Sequence, residues 1–110
     1  MDIKEFTKKS LEIKKLYAEL EKKKYGKEWA SEKYFESLVA DIGDFSRLIL
    51  SREGTITDAD FKRRVEHELS DLFLGILILA GEYDIDIENA FLDNMEILEK
   101  RISNESNSLS

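Results

Sequence analysis

The chain contains no proline and only five glycines, so little in it interrupts a helix and each stop in the apolar pattern reads as a helix end. Ile3, Phe6, Ile13, Leu16, Tyr17 and Leu20 recur at helical spacing and predict a first helix over about residues 2–24, closed by Tyr25-Gly26. Ser31 is a good N-cap residue, and Phe35, Leu38, Ile42, Phe45 and Ile49 come after it at steps of three and four. A second helix is expected over about 31–53, stopped by Glu53-Gly54. Thr57-Asp58-Ala59-Asp60 resembles a capping box with Asp in the place of Glu and opens a third helix that runs to about Tyr83. Asp84-Ile85-Asp86 breaks the pattern, Asp86 caps a fourth helix, and Ile87, Phe91, Met95, Leu98 and Ile102 carry that helix to about Ser103. The tail 104–110, NESNSLS, is small and polar and is expected to be frayed or disordered.

This reading makes about 90 of the 110 residues helical, and no stretch alternates like a strand hairpin. The fold class expected is all-α, a four-helix bundle forming one domain over 1–103. Helix three is apolar on every side between Leu72 and Ala80, more than three partner helices of a small chain cover. A subunit interface is the simplest remedy, so a homo-oligomer, dimer or tetramer, is expected.

Composition narrows the function classes. A formal charge of -7 offers a polyanion no general attraction, which argues against nucleic-acid binding. The absence of cysteine removes disulfides, zinc-thiolate sites and a cysteine nucleophile. The charged opening MDIKEFTKKS does not read as a secretory leader, and the apolar run Leu72–Ala80 is half the length that a membrane span needs. A cytoplasmic chain with no membrane partner is expected.

The most informative pattern emerges when helices two and three are superposed at an offset of 27 residues. Leu38, Asp41, Ile42, Asp44, Phe45 and Ile49 then fall on Val65, Glu68, Leu69, Asp71, Leu72 and Ile76. At roughly 100° per residue, Asp41 and Glu68 sit inside or at the edge of each apolar stripe, so the first acid of each pair points toward the core, with Asp44 and Asp71 about 60° further round. One Asp/Glu pair at i, i+3 is usually a solvated face, with Arg47 or Lys62 as partners. Two pairs in the same phase on consecutive helices are different, because an antiparallel hairpin turns both acidic edges toward a shared space. Converging carboxylates repel one another unless a hard cation neutralises them, and oxygen-only ligands suit Mg2+ or Mn2+. A di-iron bundle demands Glu-x-x-His, whereas the single histidine, His67, is preceded three residues earlier by Arg64 and points away from the stripe.

LVADIGDFSRLIL, with Asp41 and Asp44, and HELSDLFLGILILA, with Glu68 and Asp71, resemble the paired acidic helices of the MazG-like all-alpha nucleoside triphosphate pyrophosphohydrolases. EYDIDIENAFLDNMEILEKRI is similar to that family's next turn and final helix, and the resemblance spans about residues 12–103. It implies hydrolysis of a nucleoside triphosphate to monophosphate and pyrophosphate. Asp41, Asp44, Glu68 and Asp71 would hold Mg2+, and Asp41, Asp44 and Glu68 would serve catalysis. Arg64, Asn94, Lys100, Arg101 and Trp29 are the candidate substrate contacts, with Tyr34 beside Trp29; the ordinary alternatives are an Arg64–Glu68 pair and core packing for the two aromatics.

The chain departs from the family in two ways. The first acidic pair is Asp-x-x-Asp rather than Glu-x-x-Glu, and the final helix has Asn94 and Leu98 where many members carry Lys and Asn. These departures motivate an alternative: a non-catalytic helical module for protein association or nucleotide sensing.

Overall fold

The computed structural model describes residues 1–28, 31–50 and 58–109. Four helices account for nearly all of them: α1 (Ile3–Tyr25), α2 (Ser31–Leu50), α3 (Asp58–Glu82) and α4 (Ile87–Leu109). The described residues contain no strand, so the all-α four-helix expectation holds. None of these helices is long and apolar enough to cross a membrane.

Local chemistry explains most of the helix ends. Asp2, in extended backbone, accepts the Glu5 N–H at 2.9 Å, a cap that the Asp2-Ile3-Lys4-Glu5 pattern announces. Gly26 closes α1 at φ 82°, its N–H donating to the Lys22 carbonyl, with Lys22, Lys23 and Lys24 against the negative end of the helix dipole. Between α3 and α4, Asp84 takes the left-handed conformation at φ 54° and the Ile85 N–H returns to the Ala80 carbonyl at 2.8 Å. Asp86 caps α4 as expected, accepting the Asn89 backbone N–H at 3.1 Å. The expected Gly54 stop and Thr57 capping box lie outside the described residues.

Two expectations are corrected here. The helix predicted to stop near Ser103 continues to Leu109. Residues 104–109 contain neither Gly nor Pro, and Ser and Asn cost a helix only about 0.5 kcal/mol each, so local breaking power is lacking. The second correction concerns α1, whose buried residues are Ser10, Ala18 and Glu21, while Phe6, Leu16, Tyr17 and Leu20 are exposed. The packed face is rotated roughly 80° from the apolar stripe, because small side chains at 10 and 18 let α1 lie close on its neighbour.

That neighbour is α3, the central helix. It packs along α2 and along α1, whereas α4 meets only α1 appreciably and buries no residue of its own. Glycines set both approaches: a Cβ at Gly81 would come within 2.7 Å of the Leu11 side chain, and one at Gly75 within 3.1 Å of Leu38. A polar tie joins the ends of three helices. Lys14 of α1 and Ser31 of α2 both reach Glu82 of α3, at 2.5 and 3.2 Å, and the Lys14 ammonium lies 5.6 Å from the centre of the Tyr34 ring. Ser31, expected as a simple N-cap, therefore lends its hydroxyl to a neighbouring helix.

The resulting shape is elongated. Its radius of gyration is 18.1 Å and its extents are 61 × 42 × 27 Å, against about 13 Å of gyration for a compact chain of this length.

Candidate functional site

Because α1 and α2 pack on different sides of α3, a cleft of about 410 Å³ opens between the three helices. Its walls are mostly apolar and aromatic: Tyr17, Leu20 and Tyr25 from α1, Tyr34 and Leu38 from α2, and Leu74, Gly75 and Ile78 from α3. Polar groups enter from each helix as Glu21 and Lys24, Ser37 and Asp41, and Asp71. An apolar cavity with a few convergent polar groups is the usual form of a small-ligand site.

Two of the four phased acids therefore share this space. Asp41 is partly buried on α2, and its carboxyl is raised above its ordinary 3.8, first by burial and then by the negative charges of Asp71 and Asp44; His67 acts in the opposite direction. Asp71 faces it from α3 with its side chain 39% exposed, and His67 Nε2 lies 3.1 Å from its Oδ2. His67 is solvent-exposed, as expected, and its contact with Asp71 is the part that helical phase did not reveal, although i, i+4 spacing permits it.

The other two acids are placed differently. Asp44 is exposed and ion-paired with Arg47. Glu68 is partly buried but does not line the cleft, and Arg64, exposed one turn earlier, makes no ion pair with it. Asp71 thus takes the inward position on α3 that the 27-residue offset assigned to Glu68, because the packed face of α3 turns away from its apolar stripe. Among the described residues no three carboxylate or imidazole groups converge as a ready cation cage.

The chemistry of the two remaining donors still fits one kind of cation. Magnesium is commonly held by one or two protein carboxylates, with waters and substrate phosphates completing its shell. Two carboxylates that line one cleft, with burial and then the charge of Asp71 raising the Asp41 carboxyl, match that pattern.

Of the other residues of the cleft, the sequence singles out only Tyr34 as a site candidate. Tyr34 is buried rather than displayed, its hydroxyl donates to Glu21 Oε1 at 3.4 Å, and burial together with Glu21 pushes it up to about 12. Tyr17, Leu20 and Lys24 succeed one another on α1 at steps of three and four, a spacing that signals one face once that face is known to meet the cleft. Asn94, Lys100 and Arg101 lie on α4 and do not line the cleft; Lys100 pairs with Glu96 at 3.6 Å and borders a shallow separate depression. Trp29 lies outside the described residues. Comparison with protein-family models, curated proteins and solved structures finds no match.

Proposed function

We propose that this chain is a MazG-like, oligomeric, magnesium-dependent pyrophosphohydrolase that converts a nucleoside triphosphate to monophosphate and pyrophosphate. The observation that carries the reading is the meeting of Asp41 and Asp71, drawn from two acid pairs in the same helical phase, at one end of a largely apolar cleft. Asp41 and Asp71 are the groups that would hold Mg2+. When bound, the cation supplies charge neutralisation for a triphosphate and a more acidic bound water.

The chain's own residues do the remaining work. Tyr17, Leu20 and Tyr25 offer a planar apolar group a surface on α1, and Lys24 brings a cation to the same cleft. Asp44 and Glu68 lie three residues from Asp41 and Asp71 on their respective helices, within one turn of the acidic end, where either can orient a water. His67 beside Asp71 fixes the direction of that carboxylate.

The test is incubation with a panel of ribo- and deoxyribonucleoside triphosphates and Mg2+, monitoring pyrophosphate. Release above that of an Asp71→Asn control is expected; no release with any triphosphate overturns turnover.

A second reading has its own support. Asp44 is engaged by Arg47 and no three acids converge among the described residues, which favours a non-catalytic module that senses a nucleotide or associates with protein. Calorimetric titration separates the two. Magnesium uptake that Asp41→Asn abolishes favours the enzyme; nucleotide uptake without magnesium favours the module.

A further inference from the structure

We infer that the cleft binds an organic ammonium ion, a primary amine whose head lies at Asp41 and Asp71 and whose hydrocarbon body lies along the groove between α2 and α3. The first ground is the direction in which the cleft runs. Asp41 with Asp71, Leu38 with Gly75 and Ser31 with Glu82 pair in opposite senses along the two helices, so α2 and α3 are antiparallel. Leading away from the two acids, Leu38 and Leu74 line the cleft first, and Tyr34 and Ile78 come one turn further on. Asp41 and Tyr34 are seven residues apart on α2, which makes a largely apolar corridor about 10 Å long. At its far end Tyr34 and Glu21 already serve each other.

The second ground is apolar surface inside the cleft that the fold leaves uncovered. Tyr17 and Leu20 line it from α1 and are still 52% and 44% exposed. A hydrocarbon body in the corridor removes that surface from water.

The third ground is the charge of the lining. Three carboxylates, those of Glu21, Asp41 and Asp71, stand against the single ammonium of Lys24, so a cationic guest is favoured over a neutral one of the same shape. An ammonium head brings three N–H donors and demands no coordination geometry. Two carboxylates therefore suffice for it, although no three acids converge among the described residues. A hydrated metal ion alone leaves the apolar walls wet, and a nucleotide with magnesium fills the cleft with two components. An amine fills both halves with one molecule. The inference needs no turnover, so it stands or falls separately from the enzymatic reading.

Calorimetric titration of the full chain with the linear alkylammonium ions from butyl to heptyl, in metal-free buffer, tests it. Affinity should rise about fourfold with each added methylene, and heptanol should bind at least about tenfold more weakly than heptylammonium. Asp41→Asn and Asp71→Asn should each weaken heptylammonium about tenfold with the helical circular dichroism retained. No uptake of any amine, an affinity flat along the series, or equal uptake of heptanol and heptylammonium overturns the proposal. Undiminished binding by the Asn variants overturns it equally. Should a variant unfold, the comparison of amine with alcohol on the parent chain decides. The titration reads no pyrophosphate, so a chain that releases none can still bind the amine, and the two readings fail separately.

Discussion

The cleft has two acidic ends that are treated in opposite ways. At one, Glu21 is almost fully buried and accepts a hydrogen bond from the Tyr34 hydroxyl. At the other, Asp41 is less deeply buried, and its ionisation is made harder first by that burial and then by the charges of Asp71 and Asp44. What separates the two is the company each keeps: Glu21 meets the Tyr34 hydroxyl, whereas Asp41 meets the charges of two further acids. The first end is a finished internal contact that ties α1 to α2. The second holds surplus negative charge that an external cation would relieve, which is the behaviour expected of a site rather than of a core.

The largest effect that sharpens this contrast is on turnover. Asp71→Asn should lower pyrophosphate release by about 100-fold or more, the usual scale when a metal-binding group is lost, while Tyr34→Phe should leave the magnesium dependence unchanged. Steady-state kinetics at varied Mg2+ measures both, and an equal loss in the two variants would erase the distinction between the ends.

Tyr34→Phe should instead act on stability, lowering it by about 1–2 kcal/mol in chemical denaturation because it removes a buried hydrogen bond to a carboxylate. Since Tyr34 is pushed up to about 12, the native state loses stability as pH rises above the ordinary tyrosine value of 10 toward that point. The same variant should delete the highest-pH step of an ultraviolet tyrosine titration.

A smaller effect belongs to the polar tie nearby. Lys14 and Glu82 are each about a quarter exposed, and Lys14 holds the Glu82 carboxyl below its ordinary 4.5. Lys14→Met should cost about 1 kcal/mol at pH 7. A depressed carboxylate stabilises above its unfolded value and loses that contribution as pH falls through the lowered one, so the cost should vanish in strong acid.

The smallest effect has the opposite sign. Asp41 is raised, so its ionisation penalises the metal-free fold at neutral pH, and the penalty disappears as pH falls below 3.8. Asp41→Asn should raise Tm by about 1–2 °C at pH 7 without magnesium, and by nothing at pH 3. A fall in Tm at pH 7 would place Asp41 with Glu21, as a satisfied structural acid.

Legibility in the sequence differs by level. Four helices are legible because the chain lacks proline and its apolar residues keep a 3.6-residue phase; Gly26 and Asp86 cap where composition places them. The direction in which each helix packs is not. Periodicity marks Phe6, Leu16 and Leu20 as one stripe, but burial falls on Ser10, Ala18 and Glu21, because packing tracks the side on which small residues allow approach. Phase alone likewise does not say which of the four acids reach the cleft: Asp41 and Asp71 line it, and Asp44 and Glu68 do not. The aromatic walls are illegible for a related reason: Tyr17 and Tyr25 acquire their role only from the angle at which α1 crosses α3.

The seats of α1 and α2 on α3 rest on two absent methyl groups. Gly75 seats Leu38 and Gly81 seats Leu11, so α3 acts as a notched beam with one slot for each flanking helix, the slots facing different ways. Filling either slot levers one wall outward, and the aperture between Asp41 and Asp71 is governed from Gly75, a position that carries no reactive group at all.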